Sequence, residues 1–265
     1  MTKLRDKVVA ITGAGSGIGR ALAERLAALG AHLALSDIDE GTLRETASLI
    51  SGVNVSTHAV DVRSRDAVER YATEARAKHG GVDVIVNNAG RTVFGSLEEV
   101  SYEDFAMVLD INLWGVVYGT RAFLPLLRER PEGHVVNISS INAMVPFAKN
   151  GPYNMSKYAV LGFSETLELE LRGQPIRVTC VHPGGIQTNI VHNAKNMTKE
   201  QAAAFGRVAK TTAPAAAAAI ARAIEKNKRQ AFIGIDAKTM ALCKRIAPGT
   251  TLRATAKFME TFGPK

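Results

Sequence analysis

Cysteine is scarce in this 265-residue sequence: Cys180 and Cys243 are the whole complement. Two thiols make no disulfide framework and fit a reducing compartment, so a cytoplasmic location is expected. Long apolar runs are missing as well. No stretch reaches the roughly 18–20 uncharged apolar residues of a membrane-spanning helix. The start, Met1-Thr2-Lys3-Leu4-Arg5-Asp6-Lys7, has no apolar run long enough for a signal peptide. Internal repeats are absent, and the one low-complexity piece is the alanine run at 215–219. His182 and His192 have no paired Cys, His or carboxylate spacing around them, so no metal site is expected. Acidic residues are scarce at one end only. Residues 1–194 hold 19 Lys+Arg against 21 Asp+Glu, whereas residues 195–265 hold 14 against 4. The net charge of +8 therefore belongs to the C-terminal part. A nucleic-acid reader clusters Lys and Arg on its reading element, and this near-neutral body speaks against nucleic acid as a partner.

What is present begins with a hydrophobic share of 46%, enough to bury a core and to exclude global disorder. Short apolar runs at 8–12, 32–36, 53–60, 82–86, 135–138 and 176–181 read as buried strands, with a seventh at 232–235. Helical patterns lie between them. They cover 18–29, closed by Gly30, then 40–50, then a helix capped by Ser64 and ending at Gly80 and Gly81. A longer one at 101–127 opens with a Ser101–Asp104 capping box, another covers 153–171, and Pro214 starts an alanine-rich helix. Strands apolar on both sides, separated by helices, make a parallel sheet covered on both faces. The expected fold class is α/β, a Rossmann-like doubly wound parallel sheet in a single domain with a C-terminal helical extension. Residues 1–235 are the expected catalytic body, and residues 236–265 the basic extension of the same domain. In that extension Asp236 is expected to cap a short helix through Ile246, with Met240, Cys243 and Ala247 on one side. Pro248-Gly249 is expected to break it, and Thr251 to cap a second helix with Leu252, Thr255, Met259 and Phe262 at helical spacing. Lys238, Lys244, Arg245, Arg253 and Lys257 decorate both pieces. Basic amphipathic helices of this kind either lie on a membrane surface or pack on the body or a neighbouring subunit.

Thr12-Gly13-Ala14-Gly15-Ser16-Gly17-Ile18-Gly19 lies between the first strand and the first helix. Glycines there let backbone approach a pyrophosphate, and the helix N-terminus offers free N–H groups and partial positive charge. Asp37, at the end of the second strand, can accept hydrogen bonds from a ribose 2′-OH and would repel a 2′-phosphate. NAD is therefore favoured over NADP. Asp61 with Val62, ending the third strand, either reaches the adenine or caps a loop. Asn87-Asn88-Ala89-Gly90 ends the fourth strand, on the edge where ligands bind in open α/β sheets. Tyr153 and Lys157 are four apart and share a helix face, and Ser140 lies thirteen positions earlier at the end of the fifth strand. A free phenol has a pKa near 10, and a neighbouring ammonium favours the phenolate and is expected to lower it. Tyr153 then exchanges a proton with an alcohol or carbonyl oxygen, while Ser140 hydrogen-bonds that oxygen.

These motifs resemble the short-chain dehydrogenase/reductase family over roughly residues 5–190. The turn Thr12-Gly13 to Gly19 is similar to TGxxxGxG, residues 87–90 to NNAG, and Ser140, Tyr153 and Lys157 to the family's Ser and YxxxK. The resemblance implies that Asn112 is a fourth catalytic residue, holding a helix distortion and a proton-relaying water near Lys157. It also implies that Pro183, Gly184, Ile186 and Thr188 meet the nicotinamide end of the cofactor. It further implies dimers or tetramers through the helices at about 102–127 and 153–172. Arg91, where the family commonly has a small or apolar residue, either reaches solvent or sits by an anionic ligand group. Residues 189–212 are the expected substrate lid, with Ile190, Val191, Met197 and Phe205 as apolar members. An apolar lid favours an apolar alcohol or ketone, steroid- or retinoid-like. The alternatives are a reductase of acyl-carrier-linked β-keto substrates and, in another class, a non-catalytic NAD sensor or a membrane-surface scaffold.

Overall fold

The computed structural model describes residues 3–188, 190 and 194–260. The expectations placed on Val191, His192 and Phe262, and on the chain ends at 1–2 and 261–265, lie outside these residues. Six strands follow in chain order: β1 (Val8–Thr12), β2 (His32–Asp37), β3 (Val55–Ala59), β4 (Val84–Asn87), β5 (Gly133–Ile138) and β6 (Ile176–Pro183). A two-residue parallel pair, β7 (Ile186–Gln187) and β8 (Thr211–Thr212), stands apart, and β9 (Gln230–Ile233) closes the main sheet beside β6. The sheet has seven parallel strands in the order β3-β2-β1-β4-β5-β6-β9. The order reverses between β1 and β4, which opens a crevice at the carboxyl ends of the strands.

Successive side chains of a strand point to opposite faces. In β4, Val84 and Val86 therefore join Leu22, Leu26, Ile220 and Ile224 on one face, while Ile85 joins Val68, Tyr71, Phe123 and Leu127 on the other. The helices that cover these faces are α1 (Gly17–Ala28), α2 (Glu40–Ser48), α3 (Arg65–His79), α4 (Tyr102–Leu109), α5 (Gly115–Arg128) and α6 (Gly151–Glu170). They continue as α7 (Lys199–Val208), α8 (Ala213–Glu225), α9 (Ile235–Ile246) and α10 (Pro248–Glu260). The expected caps at Ser64 and Ser101 form: each hydroxyl accepts the backbone N–H three residues on. The side chain of Asp104 does not complete a box; it pairs with Lys195 instead, at 2.8 Å.

Three expectations are corrected. The last strand lies two residues earlier than 232–235, because Gly234 at φ 99° ends the extended backbone. Gly234, not Asp236, is the N-cap of α9, and the Asp236 carboxylate accepts from the Gly185 N–H at 2.6 Å. Thr251 sits inside α10 and donates to the Ala247 carbonyl, because Pro248 opens that helix rather than preventing it. A proline in a first turn forfeits no intrahelical hydrogen bond.

Candidate active site

A continuous cavity of about 1240 Å³ runs along the carboxyl ends of the strands, from Asp37 at one end to the C-terminal helices at the other. Its floor is backbone. A Cβ on Gly13 would stand 2.8 Å from the Ala89 Cα, one on Gly15 would strike Thr42 and Asp37, and one on Gly19 would strike the Gly13 carbonyl. Gly13 and Gly17 also hold left-handed φ values of 65° and 55°. Ser16 precedes α1 without making a side-chain cap, so the first N–H groups of the helix face the cavity without one. Asp37 fixes this turn by accepting the Gly15 N–H at 2.8 Å. Asn88 locks β4 to it: its amide donates to the Thr12 and Gly13 carbonyls, both at 2.9 Å. The Thr12 hydroxyl accepts the N–H groups of Asn88 and Ala89.

Along the wall, Asp61 and Val62 line the cavity with Arg63. The Arg63 guanidinium at 2.6 Å holds the Asp61 carboxyl below its ordinary range. Gly90, Pro183, Gly184, Ile186 and Thr188 line it too, and Thr188 lies against the Cα side of Gly17. Ile190 lines the cavity and is half-buried, while Arg91 lines it with an exposed side chain.

At the centre stand Ser140, Tyr153 and Lys157. Lys157 is 3% exposed, and its Nζ donates to the Ile138 carbonyl at 2.8 Å and lies 5.5 Å from the Tyr153 ring centroid. Burial lowers its ammonium to about 8. Burial raises the Tyr153 phenol, and a hydrogen bond with Ser140 pulls the other way without prevailing. This corrects the expected lowering, since desolvation outweighs stabilisation of the phenolate here. The Ser140 hydroxyl is held by Asn142 through both its side chain and its N–H, at 3.2 Å each. Asn142 is held in turn by Asn154 at 2.7 Å.

Asn112 is fully buried in a π-helical turn, Asp110–Trp114, between α4 and α5. Its amide clamps Arg91 from both sides, accepting the N–H at 2.8 Å and donating to the carbonyl at 2.9 Å, and it also donates to Ser156. The distortion that the resemblance implied is therefore present, and π-turns of this sort recur at functional sites. His182 is buried and stacks on Phe232, and its Nδ1 donates to the Ser140 carbonyl. Burial lowers it to about 4, so it stays neutral. Among the described residues no group of three or more His, Cys, Asp or Glu could hold a metal ion.

Two sets of residues escaped sequence reasoning. Asn142 and Asn154 carry no motif signal, and their pairing exists only after folding. The C-terminal helices are a wall of the cavity: Met240, Cys243, Ala247, Thr251, Thr255 and Met259 line it, as do Phe94, Met107 and Phe147. The expected helical spacing of Thr255 and Met259 was the available signal, but it did not say which surface they would cover. Asp236 joins this wall to the floor. It fills the space beside Gly184 and Gly234, where any Cβ would collide with its carboxylate.

A glycine turn at the switch point of a doubly wound sheet, with a buried Ser and Lys and a half-buried Tyr lining the same cavity, defines a nucleotide-binding oxidoreductase. A family model described as short chain dehydrogenase matches residues 7–201. SadH of Mycobacterium tuberculosis, named as an oxidoreductase, is 37% identical over 273 aligned positions, spanning 100% of this chain and 99% of its own length. A short-chain dehydrogenase/reductase from Burkholderia phymatum, solved with NAD, superposes with a TM-score of 0.85 at 32% identity. That alignment covers 92% of this chain and 95% of the other. A short chain dehydrogenase from Mycobacterium paratuberculosis bound to NAD gives 0.79 at 28% identity, covering 88% and 97%. The chain belongs to the short-chain dehydrogenase/reductase family.

Proposed function

We propose that this protein transfers a hydride between NAD and the CH–OH or C=O group of an apolar secondary alcohol or ketone. The observation that carries this reading is the position of Ser140, Tyr153 and Lys157. They stand where the glycine-turn half of the cavity meets its apolar half. The residues present fit the dinucleotide. The glycine cradle leaves no room for a Cβ at Gly13, Gly15 or Gly19, the α1 N-terminus suits a pyrophosphate, and the Asp37 carboxylate suits a ribose diol. Two structural relatives were solved with NAD. Asp37, with no basic residue in the glycine turn beyond Arg20, favours NAD over NADP.

NAD, when bound, supplies or accepts the hydride. Tyr153, its phenol raised by burial, donates its proton to the carbonyl oxygen in reduction and is left as the phenolate; in oxidation that phenolate takes the alcohol proton. Ser140 hydrogen-bonds the same oxygen and offsets the charge that develops on it. Lys157, buried and cationic below about pH 8, favours the phenolate whenever Tyr153 gives up its proton. Asn112 fixes the Gly90–Arg91 backbone beside Lys157. Pro183, Gly184, Ile186 and Thr188 line the same cavity and, by the family resemblance, would meet the nicotinamide.

The substrate side favours a bulky lipophilic molecule, steroid- or retinoid-like in size. Among the described residues lining the cavity, the cationic ones are Arg63, Arg91 and Lys157, and the C-terminal wall contributes none. A reductase of acyl-carrier-linked substrates is the alternative, since Arg91 and the basic C-terminal helices outside the cavity would suit an acidic carrier. A sensor or scaffold would not need the whole Ser140, Tyr153, Lys157 and Asn112 set. Exposed Trp114, Met155, Tyr158 and Leu169 on the α5 and α6 side support a homo-oligomer. A screen of secondary alcohols and ketones with NAD or NADH, following reduced-nicotinamide absorbance, tests the reading. Turnover of bulky apolar compounds that the Tyr153→Phe variant loses is expected; turnover of acyl-carrier-linked substrates alone would replace the substrate class.

A further inference from the structure

We infer that α9 and α10 form a docking surface for an anionic lipid bilayer, placed at the rim of the cavity. The inference stands on this surface alone, whichever substrate the cavity takes. At 100° per residue, α9 presents three successive stripes. Asp236, Met240 and Cys243 line the cavity. Next to them Ile235, Leu242 and Ile246 form an outward stripe and are 76%, 58% and 74% exposed. Lys238 and Arg245 follow on the far side of that stripe, both exposed. Ile246 belongs to two of these surfaces, since it also lines the cavity, as does Val208 of α7, itself 41% exposed. On α10, Leu252 is 39% exposed, and Arg253 and Lys257 stand one turn apart on the outer face.

An apolar stripe bordered by cations is the arrangement that seats a helix at a lipid interface. The two helices carry five basic residues against Asp236 and Glu260, and Asp236 is turned inward onto Gly185. A second copy of the chain is the poorer occupant, because a two-fold contact sets the same patch against itself and brings like charges together. Anionic headgroups complement the cations, and the acyl region takes Ile235, Leu242 and Ile246. The cavity rim then faces the phase in which apolar compounds dissolve.

The test is co-sedimentation of the full chain with vesicles. Wild type should sediment with phosphatidylglycerol–phosphatidylcholine vesicles at low salt, weakly with phosphatidylcholine alone, and less as salt rises. Lys238→Ala with Arg245→Ala should weaken partitioning about 25-fold, at about fivefold per basic residue. Ile235→Ser with Leu242→Ser should weaken it by about tenfold or more. All four positions are exposed, and thermal melting confirms that the variants fold. Absence of wild-type binding to the anionic vesicles overturns the proposal, as does binding that ignores salt, lipid charge and both double variants. Light scattering that shows these substitutions splitting a wild-type oligomer also overturns it and assigns the face to a second copy.

Discussion

The two sides of the cavity are built in opposite ways. The cofactor side is backbone held by hydrogen bonds: Asn88 grips the Thr12 and Gly13 carbonyls, Asp37 grips Gly15, and Asn112 grips Arg91. The opposite side is side chains on helices, with Phe205 from α7, Met240 and Cys243 from α9, and Met259 from α10. A hydrogen-bonded backbone has one geometry and tolerates little change. Apolar side chains can be exchanged for others of similar volume at small cost. The first construction suits a ligand read by fixed hydrogen-bonding geometry, and the second a ligand held by shape and apolar contact.

The largest expected effect falls at the junction. Tyr153→Phe should lower kcat by about 10²- to 10⁴-fold while NAD binding, read by fluorescence titration, stays near wild type; a variant with full turnover would sink the proton-transfer role. On the cofactor side, Asp37→Ala should weaken NAD about tenfold by removing a charged hydrogen-bond acceptor and bring the KM values for NAD and NADP together. An unchanged ratio would remove Asp37 from cofactor choice. Lys157 loses its proton as pH rises through about 8, so ketone reduction should hold steady below that point and decline above it. A reduction rate flat to pH 10 would contradict this. Asp236→Ala frees the Gly185 N–H and should raise the KM for NAD several-fold with little change in kcat, since the residue positions a turn and touches no reacting atom. The smallest effect is expected on the apolar side: Met240→Ala should alter the KM for bulky ketones several-fold and leave that for NAD untouched. If Met240→Ala changed NAD binding as strongly as Asp236→Ala, the contrast between the two sides would fail.

Much of the cofactor side was legible in the chain. Its elements are local: a strand, a glycine turn and a helix in sequence, with Asp37 at the next strand end, each carrying a signal of period or residue type. The caps at Ser64 and Ser101 were legible for the same reason. Less legible was whatever depends on a partner distant in sequence. Asp236 looks like a helix cap until Gly185, 51 residues away, supplies a better donor. Asp104 looks like half of a capping box until Lys195 arrives, 91 residues on. The Tyr153 phenol departs from the expected lowering because a neighbouring ammonium is visible in a sequence and the depth of burial is not.

The sequence by itself determined the alternation of strands and helices, the glycine cradle, the spacing of Ser140, Tyr153 and Lys157, and the location of the excess positive charge. Those follow from residue types and short-range periodicity. The tertiary structure alone decided that the basic C-terminal helices form one side of the cavity rather than an appendage. Helical spacing shows that a segment has an apolar face, whereas the surface that face covers is set by the packing of every other element.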